Sequence, residues 1–244
     1  MKFLRGLFRK KDAHNPDFCS LLLVAAGTAS RMGGVDKVLY ELGGVPVIVR
    51  AIQPFQESDL IHEIVVVTRR DSMVEVGQLC RLYQLTKVTR VVPGGEDRRA
   101  SVQLGLEDLS PKAQLVAIHD GARPLITRDV LEAAVLRAGL AGAAAPGIPI
   151  KDTVKLLEGG VVKETLPRER LCAIQTPQVF EVSLIKAALA RSITDGVSLT
   201  DDCSAVERLG FTVSVTPGSE ENIKLTTPGD LLLGESILAG RDWN

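Results

Sequence analysis

Aromatic side chains are scarce in this chain: one Trp, two Tyr and six Phe make up 4% of its 244 residues. A core with so few large rings must be filled by aliphatic side chains. Leu, Val, Ala and Ile indeed supply most of the 45% that is hydrophobic, as in parallel sheets buried on both faces. Excess charge of one sign is also missing, since 29 Lys and Arg stand against 30 Asp and Glu. No overall cationic field is left to hold the chain on nucleic acid or an anionic membrane, so any anion site must be local. Cys19, Cys80, Cys172 and Cys203 form no CxxC pair, which argues against a zinc site or a disulfide framework and reads as reduced, mostly structural thiols. No apolar run is long enough for a bilayer span. Residues 1–18 mix apolar and basic side chains without the apolar core or cleavage site of a signal peptide. The expectation is a cytoplasmic protein with a basic extension over 1–18, one domain over 19–240, no nucleic-acid partner and no stable membrane association.

What is present is an alternation of two periodicities. CSLLLVAAG, from Cys19 to Gly27, is an apolar run ending in small residues, as a central buried strand running into a turn would be. Further strands are expected at Glu63–Arg69, Arg90–Pro93, Leu115–His119, Ala143–Pro149 and Phe211–Thr216. Apolar residues three and four apart predict helices over Val47–Phe55, Arg99–Leu109, Arg128–Ala138, Val182–Ala190 and Asp201–Leu209. Thr200 is an expected helix cap, and Thr227-Pro228 another cap with proline at the first helical position. The pattern specifies an α/β fold: a doubly wound, mostly parallel, Rossmann-like sheet with ligands at the carboxyl ends of its strands. One stretch breaks it. KDTVKLLEGGVVKETLPRER, residues 151–170, reads as a β-hairpin arm turning at Gly159-Gly160 and projecting from the sheet.

The chemistry-bearing motifs follow the strands. AAGTASRMGGVDK, from Ala25 to Lys37, combines small residues that let backbone N–H groups approach an anion with the charges of Arg31 and Lys37. No GK[ST] follows and only Gly27 of a GxGxxG is present, so neither a Walker loop nor a dinucleotide fingerprint is indicated. Next in order come GGEDRRASV at Gly94–Val102, HDGARP at His119–Pro124, KDTVK at Lys151–Lys155, QTPQVF at Gln175–Phe180, TDD at Thr200–Asp202 and NIKLTTP at Asn222–Pro228. This series resembles the 2-C-methyl-D-erythritol 4-phosphate cytidylyltransferase family from about Cys19 to Leu238. Ribitol-5-phosphate cytidylyltransferases share most of the motifs, and a non-catalytic CTP-binding module is the alternative from another class.

The resemblance implies transfer of CMP from CTP to a small sugar-alcohol phosphate, with Mg²⁺ or another divalent cation such as Mn²⁺. It assigns Arg31, Lys37 and Lys224 to catalysis, and Ala25, Ala26, Gly27, Gly95, Glu96, Ser101 and Asp120 to the nucleotide. Arg123, Thr153, Arg168, Thr176, Thr200 and Lys224 are assigned to the acceptor, and Asp120 to the metal, which CTP phosphates would mainly hold. It further implies a homodimer exchanging its arms. Asp36-Lys37-Val38 stands where the family usually has Pro-Lys-Gln, and Glu96 where it has the shorter Asp. His119, within an apolar strand, is expected to be a packed core residue rather than a base.

Overall fold

The computed structural model describes residues 18–27 and 38–241. Its strands are β1 (Cys19–Ala25), β2 (Glu41–Leu42), β3 (Val45–Pro46), β4 (Glu63–Thr68), β5 (Val88–Pro93), β6 (Leu115–Asp120), β7 (Ala143–Pro149), β8 (Lys155–Glu158), β9 (Val161–Thr165), β10 (Cys172–Ile174), β11 (Gln178–Glu181) and β12 (Ser214–Pro217). The helices are α1 (Val47–Glu57), α2 (Met73–Leu82), α3 (Arg98–Glu107), α4 (Arg128–Ala141), α5 (Val182–Thr194), α6 (Asp202–Arg208) and α7 (Pro228–Arg241). The main sheet has eight strands in the order β10-β7-β11-β6-β1-β4-β5, with β12 also on β7. β6, β1, β4 and β5 are mutually parallel, whereas β10 and β11 run antiparallel to β7.

Alternate strand residues face opposite helix layers, which is why these runs are apolar without interruption. Leu21, Leu23, Ile64, Val66 and Ala117 pack with α1, α2 and α4. Leu22, Val65, Val67, Val116 and Ile118 pack with α3, α5 and α6. Gly105 sits where a Cβ would lie 2.2 Å from Leu22 Cδ1 and 2.7 Å from Val67 Cγ2, so glycine there lets α3 lie close against β1 and β4. A third, smaller cluster of Leu42, Val47, Leu125 and Leu225 receives α7.

The expected strands and helices are found, with shifts that have local causes. α6 is capped by Asp201, whose Oδ1 accepts the Ser204 N–H at 2.9 Å, and not by the neighbouring Thr200. A carboxylate satisfies the same orphan amide and also opposes the positive end of the helix dipole. α7 does begin at Pro228, and Asp230 reaches back to the N–H groups of Thr226 and Thr227, each at 2.7 Å. The last expected strand starts at Ser214 rather than Phe211, because Phe211 turns in to pack against the α5–α6 layer. β2, β3, β10, β11 and α2 were not anticipated. The arm is a two-stranded ribbon, β8 on β9, whose Gly159 and Gly160 both adopt positive φ, as the tight hairpin turn demands. No described helix is long and apolar enough to cross a membrane. All four cysteines are free, and Cys19, Cys80 and Cys203 are buried.

Candidate active site

The parallel strands deliver their carboxyl ends to one edge, and the register sets Asp120 beside Val24 and Thr68 beside Ala25. Small residues close this edge. A Cβ on Gly94 would lie 2.3 Å from the Ala26 Cβ, and one on Gly121 would lie 2.9 Å from the Ala25 Cβ. Above them opens a cavity of about 300 Å³, lined among others by Ala25, Ala26, Gly27, Gly95, Glu96, Ser101, Asp120 and Lys224. Every described nucleotide-side residue expected from sequence therefore meets in one place, and Lys224 joins them. Arg31 and Lys37 lie outside the described residues.

Charge is organised as a row. Lys224 Nζ contacts Asp120 Oδ2 at 2.7 Å, Arg98 Nε contacts Asp120 Oδ1 at 3.4 Å, and Arg98 Nη2 contacts Asp202 Oδ2 at 2.7 Å. Burial alone would raise the Asp120 pKa, but Arg98 and Lys224 outweigh it and hold the carboxyl well below the usual carboxylate range. Asp120 is thus an anion at every working pH. Lys224 reaches it because Leu225 N–H bonds to the Ala122 carbonyl at 2.8 Å, fixing the Asn222–Leu225 segment alongside the end of β6.

Some of the expected site residues also brace the structure around the cavity. Ser101 Oγ donates to the Asp97 carbonyl at 2.8 Å and accepts Gly95 N–H at 3.1 Å, holding the turn before α3. The head of that helix is Asp97, which caps Ala100 N–H at 2.7 Å. Thr176 is buried, and its hydroxyl accepts Asp120 N–H at 3.1 Å while bonding His119 Nδ1 at 3.0 Å. Arg123 is half-buried and donates to the Asn222 carbonyl at 2.6 Å. Thr153, Arg168 and Thr200 are exposed and do not line the cavity. Arg168 donates instead to the Lys151 carbonyl at the base of the arm.

His119 is a core residue, as expected. Its Nε2 faces the Arg123 carbonyl at 3.1 Å and must carry the proton, so Nδ1 accepts from Thr176. Burial pushes the imidazole down from 6.5 to about 4, so it is neutral. The unfolded chain binds the proton first as pH falls. Stability from His119 is therefore complete above 6.5 and lost as pH approaches 4, by about 3 kcal/mol at most. Denaturation midpoints measured from neutral pH down to about pH 4 should show this fall, shallower in His119→Gln.

Two residues of the row, Arg98 and Asp202, were not assigned from sequence, although both stand in motifs that were noticed, GGEDRRASV and TDD. Their signal was Arg98 itself. A cation just after a helix cap is unfavourable against the dipole, which marks Arg98 without naming its partner.

A mostly parallel α/β sheet with a small-residue floor, a charged wall and a cavity at its strand ends is the ligand-site arrangement of a doubly wound α/β protein, here that of a nucleotidyltransferase. The family profile described as IspD, 2-C-methyl-D-erythritol 4-phosphate cytidylyltransferase, matches residues 19–240. The chain belongs to this family. A relative so named from Halalkalibacterium halodurans is 42% identical over 224 residues, 91% of this chain and 98% of that protein. The crystal structure of 4-diphosphocytidyl-2C-methyl-D-erythritol synthase from Anaerococcus prevotii superposes with TM-score 0.83 at 29% identity, covering 91% of this chain and 98% of that one. That of the Thermus thermophilus cytidylyltransferase gives 0.75 at 30% identity, with 90% and 98% covered.

Proposed function

We propose that the chain transfers CMP from CTP to 2-C-methyl-D-erythritol 4-phosphate, giving 4-diphosphocytidyl-2-C-methyl-D-erythritol and pyrophosphate, in the non-mevalonate route to isoprenoids in the cytoplasm. The observation that carries this reading is the Lys224–Asp120–Arg98 row in the wall of the cavity floored by Ala25, Ala26 and Gly27. An acceptor phosphate oxygen attacks the α-phosphorus of CTP, the new P–O bond forms as the α–β bridge breaks, and pyrophosphate leaves. No base is needed to generate the nucleophile, because a phosphate monoester is already anionic near neutral pH. Neutral, enclosed His119 is accordingly free to be structural.

The task for the protein is to hold two anions together and to stabilise charge on the five-coordinate phosphorus. Backbone at Ala25–Gly27 and the Gly95–Ser101 turn hold the nucleotide, with Glu96 toward the base. Arg31, Lys37 and Lys224 supply the cations for the phosphates. Arg123, Thr153, Arg168, Thr176 and Thr200 serve the acceptor, Thr176 by bracing Asp120 and His119 from behind.

No group of three or more metal-ligating side chains occurs among the described residues. One ionised carboxylate, Asp120, fits Mg²⁺, which is usually held by one or two carboxylates plus substrate phosphates. Bound there with CTP, the ion would neutralise phosphate charge. The unit over 19–240 works as a homodimer, with the arm over about 151–170 completing the neighbouring subunit's acceptor site.

Pyrophosphate release with CTP and Mg²⁺ tests the activity. Turnover with 2-C-methyl-D-erythritol 4-phosphate is expected to exceed that with ribitol 5-phosphate. A reversed preference would reassign the acceptor. CTP binding by calorimetry without release for either acceptor would make the chain a binding module.

A further inference from the structure

Arg98 occupies the first position of α3, where unpaired N–H groups disfavour a cation. Two carboxylates hold it there, each from a different part of the chain. Asp202 is 2% exposed and starts α6; its N–H and that of Cys203 both bond to Gln178 Oε1 at 3.0 Å. Asp120 ends β6 in the wall of the cavity, and Arg98 itself lines that cavity. The next residue, Arg99, donates to the Val197 carbonyl at 3.0 Å. The first turn of α3 therefore grips the segment 197–202 at both ends, with Thr200 exposed between the two grips.

We propose that Arg98 is a positioning residue that fixes the Asp120 carboxylate and the Thr200 segment relative to each other, so that nucleotide and acceptor meet in line. The inference rests on the reading of the site given above. A planar guanidinium suits the task because its separate N–H groups face two carboxylates at once, whereas a lysine ammonium is a point charge that cannot reproduce that fork. A single ion pair serving only to stabilise the fold would not need to reach the cavity.

Arg98→Lys, Arg98→Gln and the double variant Arg98→Gln/Asp202→Asn separate positioning from stability. Arg98→Gln leaves the buried Asp202 carboxylate without its cation and is expected to lower Tm. The double variant removes that orphan charge and should regain most of the lost Tm. Its kcat/KM for the acceptor is nonetheless expected to stay about ten- to a hundredfold below wild type, as when the partners that orient an active-site ligand are removed. Arg98→Lys keeps the charge and should stay close to wild type in Tm, yet show a raised acceptor KM and weaker calorimetric binding of Mg–CTP.

Wild-type acceptor kinetics in either Arg98→Lys or the double variant would overturn the proposal and leave Arg98 a structural ion pair. Calorimetry keeps the test independent of turnover. Absence of pyrophosphate release from the wild type would refute the proposed activity, and unchanged Mg–CTP affinity in Arg98→Lys would then refute the role of Arg98 as well.

Discussion

Asp120→Asn is expected to fold and yet to lose about a hundredfold or more in kcat/KM, with the CTP and Mg²⁺ requirements both raised. The substitution preserves shape at the end of β6 and keeps the backbone N–H that Thr176 accepts. What disappears is an anion that Arg98 and Lys224 hold ionised despite its burial. Arg98 retains Asp202 as its partner, so no buried cation is stranded and the fold survives. Lys224, 41% exposed in its side chain, is released from its 2.7 Å contact and has lost the group that aims it across the cavity. Titrating CTP and Mg²⁺ against the variant measures both losses. If dependence on the two is unchanged and turnover is near wild type, Asp120 is only the brace at a strand end.

The fold was legible where burial is complete. β1, β4 and β6 are apolar on both faces, so their runs announced a parallel sheet, and the Gly159-Gly160 pair announced the arm. β10 and β11 were not legible, because Cys172–Ile174 and Gln178–Glu181 are too short for a period to show. Their place comes from long-range pairing to β6 and β7, which no local window contains. α2 was missed for another reason: only Val76 and Cys80 of its ten residues are buried, so its apolar stripe is thin. In the site, the small residues at Ala25–Gly27 and Gly95 could be read from the strand that precedes them and the motif that contains them. The Arg98–Asp202 pair could not, since it joins positions 104 apart in sequence that only the folded sheet brings within 2.7 Å. Adjacent cap formers such as Thr200 and Asp201 are likewise equivalent on paper, and geometry chooses between them.

Two variants that are each inactive should restore one another when mixed. The arm carries apolar side chains that the rest of the chain leaves uncovered: Leu157 is 60% exposed, Val161 69% and Val162 55%. Leu157 pairs with Val162 across the ribbon, so exposed apolar side chains stand side by side on it. An isolated two-stranded ribbon is marginal in water, and burial against a second copy of the chain would stabilise it. With an isologous dimer, Arg168 at the foot of one arm would serve the site whose Lys224 and Asp120 belong to the other subunit. Suppose Lys224→Ala and Arg168→Ala chains are unfolded together in equal amounts and refolded. Random pairing makes about half of the dimers mixed, and in each mixed dimer one site carries both lesions and the other neither, so activity should return to about a quarter of wild type. If both residues served the site of a single subunit, no intact site could form by mixing. Recovery no greater than the mean of the separate variants, with mixed dimers demonstrated by differently tagged chains, would remove the composite site and leave Arg168 as the exposed partner of the Lys151 carbonyl.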